Sequence, residues 1–143
     1  MSPESPTAAM TNPSVEQVMF DVAVAFGRCI ANEDCTVDAE DAELFAVFKQ
    51  IFGETVGNAL KTKPHIWDRR GRTYVFKQVR KIAYCASSVA KDTNRGVISA
   101  AIFEDCARER IAIERVNCSY AAQMAENNPG WRDVPWGDFC GIG

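Results

Sequence analysis

Histidine occurs once in these 143 residues, none of the six cysteines forms a C-x-x-C pair, and no apolar run approaches the length of a membrane span. Each absence removes a function class. A zinc centre needs about four converging N or S ligands, usually delivered by closely spaced pairs, and the chain offers no such pair. The most apolar run, Val22 to Gly27, ends at Arg28, far short of the roughly 18 residues a spanning helix requires. A nucleophile and its base would have to use His65, which sits beside Pro64 among cations. Phosphate-cradling glycine loops, dinucleotide fingerprints, H-E-x-x-H and G-x-S-x-G are all missing. The expectation is a protein that is not an enzyme and holds no cofactor.

The opening segment MSPESPTAAMTNPS has neither a basic start nor an apolar stretch, so it reads as a disordered lead-in over residues 1–13 and not as an export signal. Without such a signal, the six cysteines are expected to be reduced thiols and the compartment cytoplasmic. Cys29, Cys85, Cys106 and Cys118 stand among apolar residues at helical spacing, where a thiol acts as a small hydrophobe.

What the chain does have is a strong internal charge asymmetry. Eight of its sixteen Lys and Arg residues fall between Lys61 and Lys81, with Asp68 the single acid there, for a formal +7. Residues 1–60 carry −8 and the remainder −2, so a net charge of −3 hides a dipole. Trp67, Tyr74 and Phe76 interleave with the cations.

Apolar periodicity predicts four main helices and no strand. Val15, Val18, Val22, Ala25 and Cys29, widened by Met19, Phe26 and Ile30, mark a first helix over about 14–31, capped by Ser14. A second opens after Asp38, with Glu40, Asp41 and Glu43 suiting the positive end of a helix dipole, and weakens near Gly53 or Gly57. Lys61 to Arg72 contains Pro64 and Gly71 and reads as a basic linker. Thr73 opens a third helix burying Val75, Val79, Ile82, Ala86 and Val89. A fourth runs from Val97 or Ser99 to near Glu126, burying Ile98, Ile102, Cys106, Ile111 and Ile113. The last 17 residues, interrupted by Pro129, Gly130, Pro135 and Gly137, read as an extended, non-helical tail. Because Trp131, Trp136 and Phe139 are costly to leave in water, that tail should dock on the chain's own core, on a partner or on a second copy. The expectation is therefore an all-α fold with orthogonal or bundle-like packing: lead-in 1–13, helical domain 14–126 and tail 127–143.

The loop from Ile30 to Asp41 places Asn32, Asp34, Thr36, Asp38 and Asp41 at positions 3, 5, 7, 9 and 12 of an EF-hand layout. Position 1 is Ile30 and position 6 is Cys35, where calcium loops need an acid and a glycine, so an acidic capped helix start is the better reading. Sixty-one residues on, Gly96 matches Cys35 and Ile98 matches Val37, which allows two related helix-loop-helix units. The run Ala31-Asn-Glu-Asp34-Cys35-Thr-Val37-Asp38-Ala-Glu40, within residues 15–52, resembles the A-D-G-x-[IV]-x-x-x-E turn of the TerB-like family of helical domains, associated with tellurite resistance and stress, with Cys35 in place of the glycine. That resemblance implies an all-helical domain without a catalytic role, and an acidic metal-responsive patch at Asp34, Asp38 and Glu40.

For the basic stretch, two occupants are open. Lys61, Lys63, Trp67, Arg69, Arg70, Arg72, Lys77, Arg80 and Lys81 could contact an anionic protein partner, the leading expectation, or a nucleic acid through phosphates and stacked bases. The alternative to both is an internal seam in which these cations meet the acids of the second helix start. No membrane partner is expected.

Overall fold

The computed structural model describes residues 14–38, 40–62, 69–128, 137, 139 and 140, with the backbone alone for 58–62. Among the described residues there are five helices and no strand: α1 (Val15–Ala31), α2 (Asp41–Thr62), α3 (Arg69–Thr93), α4 (Ala100–Val116) and α5 (Cys118–Asn127). The lead-in over 1–13 lies outside the described residues.

Helix α1 begins as its sequence demands, with the Ser14 hydroxyl accepting the Gln17 N–H at 3.0 Å. Its buried stripe is Val15, Val18, Met19, Val22, Ala23, Phe26 and Gly27, turned slightly from the expected line so that Ala25, Cys29 and Ile30 are only half-buried. Gly27 is there because α4 comes too close for a side chain: a Cβ would lie 2.8 Å from Phe103. Helix α4 packs on both α1 and α3, while α2 packs on α1 and α3. Phe26 and Phe103 meet with ring centroids 6.1 Å apart.

Helix α2 starts later than its acids suggest. Asp38 does not cap it; the Asp38 N–H is turned onto the Thr36 hydroxyl at 3.1 Å, and the first helical bond runs from Leu44 N–H to the Glu40 carbonyl. Nor does α2 weaken at Gly53 or Gly57, each of which costs about 1 kcal/mol of helix propensity. Leu44, Phe48, Phe52 and Val56 recur every four residues and are all buried, and that packed line carries the helix through both glycines.

The third helix also differs from expectation, starting at Arg69 and not at Thr73. Arg69, Arg70 and Arg72 are thus helical and not part of a linker, Gly71 is buried, and the Thr73 hydroxyl donates to the Arg69 carbonyl at 2.8 Å one turn back. The buried face runs through Tyr74, Val75, Gln78, Val79, Ile82, Ala83, Ala86 and Ala90; Val89, expected inside, is 37% exposed because Ala90 takes its place against the core.

The predicted fourth helix is two. Asn117 closes α4 and opens α5, its N–H shared between the Ile113 and Glu114 carbonyls and its side-chain amide donating to Glu114 Oε2 at 3.3 Å. Ile113 faces solvent, as does Val116, while Ser99 caps the start by accepting the Ile102 N–H. In the tail, Gly137 and Phe139 have helical backbone, correcting the expectation that proline and glycine keep the segment extended throughout.

The two interhelical turns meet, each passing through the left-handed region. Helix α1 closes at Asn32, with Glu33 in the left-handed region (φ 62°) and Asp34 N–H returning to the Cys29 carbonyl at 2.9 Å. Helix α3 ends through Asn94, then Arg95 (φ 55°) and Gly96 (φ 83°), with Gly96 N–H on the Ala90 carbonyl at 2.8 Å. Both turns line one recess of about 510 Å³, where Val37 and Cys35 face Gly96 and Ile98.

Candidate functional site

The cations divide into two groups once α3 is in place. Arg80 is engaged internally: it lies 3.3 Å from Asp41 at the start of α2, donates to the Tyr84 hydroxyl at 3.0 Å, and stands over the rings of Phe76 and Tyr84 at 5.8 Å. The hydrogen bond to Tyr84, followed by the nearby Asp41 charge, holds its guanidinium still more firmly protonated. An electrostatic contact between the basic stretch and the acidic helix start therefore exists, and Arg80 supplies it. The ring of Phe76 below it packs edge-on to Phe45 at 4.7 Å and against Phe48 at 5.0 Å, so the ion pair rests on the aromatic joint between α2 and α3.

Arg69, Arg70 and Lys77 are the second group. All three are exposed, and with Thr73 and Tyr74 they line a recess of about 460 Å³ on the first half of α3. Helical spacing explains the convergence, since residues 70, 73, 74 and 77 lie three or four apart and so share a face. Lys81 is exposed one turn further along, while Arg72 is half-buried. The first turn of α3 contains no acid. The N-terminal end of a helix carries roughly half a positive charge, and arginines added there raise the local potential where a carboxylate would lower it.

Tyr74 forms the floor of this region. It is 9% exposed, and its hydroxyl donates to Glu114 Oε1 at 3.1 Å; Glu114 in turn takes Arg110 Nη2 at 3.0 Å. Burial, then the Glu114 charge, pushes the Tyr74 phenol well above its ordinary range, so it is a hydrogen-bond donor and not a base at any physiological pH. This network joins α3 to α4 and fixes the cationic face on a rigid support.

Other expected site residues fare differently. Lys61, Lys63, Trp67, Trp131 and Trp136 lie outside the residues whose side chains are described. Phe139 is half-buried, packs against the core and lines a recess of about 200 Å³ with Tyr74 and Tyr120. Asp34, Asp38 and Glu40 are exposed, and among the described residues no group of three or more His, Cys, Asp or Glu side chains is arranged to hold a metal ion. None of the helices described is long and apolar enough to cross a membrane.

The cysteines hold the largest correction. Cys118 and Cys140 form a disulfide that ties α5 to the tail, against the expectation of six reduced thiols. Cys118 was read as a small hydrophobe because its sequence neighbours are apolar; the partner that decides its chemistry is 22 residues away, and local pattern cannot reveal it. Comparison with protein-family models, with curated proteins and with solved structures gives no match for this chain.

Proposed function

We propose that this is a non-enzymatic interaction protein that binds an acidic surface of a protein partner through the first half of α3, with Arg69, Arg70 and Lys77 as its contacts. The observation that carries this reading is the gathering of those three cations around one recess at a helix start that has no acid in its first turn. An incoming carboxylate there meets both the cationic side chains and the positive end of the helix dipole. The recess spans about two turns of helix, roughly 12 Å, which matches a short acidic segment better than the extended track of phosphates a nucleic acid presents. Arg80, paired with Asp41, is a brace and not a contact. Two related helix-loop-helix units and a TerB-like kinship remain part of this proposal as matters of fold, resting on the sequence register of Cys35 with Gly96 and Val37 with Ile98; the acidic loop is not assigned a metal.

The test uses the full chain and three labelled probes at low salt: an oligoglutamate peptide, a DNA duplex and a single-stranded RNA. The peptide is expected to bind, and charge reversal at Arg70 and Lys77 should weaken it at least about tenfold, the effect of losing roughly 1.4 kcal/mol. Tighter binding of either nucleic acid through the same residues replaces this reading with nucleic-acid binding. No binding of any probe removes the site.

A further inference from the structure

Every cysteine in the chain has another cysteine as its neighbour. Cys118 is bonded to Cys140. On the facing sides of α3 and α4, Cys85 Sγ and Cys106 Sγ are 2.8 Å apart, closer than ordinary sulfur contact and not far outside the roughly 2.05 Å of a formed bond. At the end of α1, the turn brings Asp34 N–H onto the Cys29 carbonyl and Cys35 Sγ to within 3.9 Å of the Phe26 carbonyl, so that Cys29 and Cys35 stand on the two sides of one tight turn. Six cysteines allow 15 complete pairings, and the fold presents one of them.

We propose that Cys29 with Cys35 and Cys85 with Cys106 are two further disulfide sites, so that the mature protein carries three disulfides and belongs to an oxidising compartment. This goes beyond the binding role and does not depend on it. The oxidant is a low-molecular-weight disulfide of the glutathione class. One cysteine thiolate attacks it, forming a mixed disulfide and releasing one small thiol; the neighbouring cysteine thiolate then attacks the protein sulfur of that mixed disulfide and expels the second. Two protein thiols are oxidised, one small disulfide is reduced to two thiols, and the protein thiols' protons pass to the small thiolates released. Burial, and then the hydrogen bond from Cys85, pushes the Cys106 thiol up to about 12, so its thiolate is scarce once the core has closed. Pairing therefore belongs to folding, when the thiols are still in water.

The three bonds would act at three different joints. Cys29 with Cys35 closes the turn after α1, Cys85 with Cys106 staples α3 to α4, and Cys118 with Cys140 holds the tail. The pairing also replaces the premise behind the cytoplasmic expectation, which was that all six thiols stay reduced.

The experiment refolds the full-length reduced chain in a mixture of oxidised and reduced glutathione, alkylates remaining thiols, and maps linked peptides without reduction, cutting at Glu33 or Asp34 to resolve the first pair. The expected map contains Cys29–Cys35, Cys85–Cys106 and Cys118–Cys140, with no alkylated cysteine. Alkylation of Cys29, Cys35, Cys85 or Cys106 in molecules whose Cys118–Cys140 bond has closed overturns the proposal, as do links that cross the pairs. Cys85→Ser should leave Cys106 as the one alkylated thiol, and Cys29→Ser, at a half-buried position outside the core, should do the same for Cys35. Should either variant leave its partner bonded elsewhere or leave a different thiol free, the pairing is wrong.

Discussion

The starts of α2 and α3 solve the same electrostatic problem in opposite ways. Helix α2 opens with Asp41 and Glu43, carboxylates that offset the positive end of its dipole, and Asp41 still has capacity to hold Arg80 of the neighbouring helix. Helix α3 opens with Arg69, Arg70 and Arg72 and no acid in its first turn. The first start is complete within the molecule. The second is anchored by packing from below, through buried Gly71, Tyr74, Val75 and Gln78. That difference teaches where to look for a partner: a helix start that gathers cations with no acid in its first turn is a better functional signal than one whose own carboxylates already offset its dipole.

The comparison rests first on the joint that holds the two starts side by side. Phe48 is fully buried and stacks near Phe45, Phe52 and Phe76, so Phe48→Ala should destabilise the fold by about 3 to 5 kcal/mol, read by urea unfolding. A loss under about 1 kcal/mol would mean that α2 and α3 are not joined there. Next in size, Asp41→Lys removes the contact to Arg80 and places a cation at the α2 start. With the Asp41 side chain 72% exposed, solvent screening limits the loss to about 1 kcal/mol, and Arg80→Ala in the same background should cost less than it does alone, a double-mutant cycle in thermal or urea unfolding. Smallest is Arg70→Glu, which makes the α3 start resemble that of α2. It should stabilise the protein by about 0.3 to 1 kcal/mol, shrinking as salt rises, while weakening binding of an acidic peptide. A substitution that gains stability and loses binding would separate the two helix starts in one measurement.

Much of the fold is legible in the chain because it is local. Ser14 and Ser99 cap their helices by hydrogen bonds within three residues, and the apolar stripe of α1 is a matter of spacing. Errors occur where a distant element overrides a local preference. Gly53 and Gly57 look like a stop, yet the packed Phe52 and Val56 hold α2 in register. Gly71 and its arginines look like a linker, yet Gly71 is buried in a helix whose next turns are anchored by Tyr74 and Val75. The single run from Ser99 to Glu126 has no proline or glycine to mark a break, and only the side chain and N–H of Asn117, turned onto Glu114, reveal it.

For the candidate site, composition identifies the cations but not their division. Arg80 and Lys77 are three residues apart and carry the same charge; what separates their surroundings is that Asp41, from another helix, lies 3.3 Å from Arg80. The cysteines make the same point more sharply, since pairing in space depends on which helices adjoin.

By itself, the sequence determined the helical character of the described residues, the absence of an apolar run long enough to span a membrane, most of the faces those helices bury, and a concentration of positive charge between Lys61 and Lys81. These are properties of spacing and composition, which act over one or two helical turns. Only the tertiary structure decided which cation is neutralised, which three surround a recess, and which cysteine adjoins which. Charge pairing and thiol pairing depend on distances of a few ångströms between residues tens of positions apart, and those distances are set by how the helices pack.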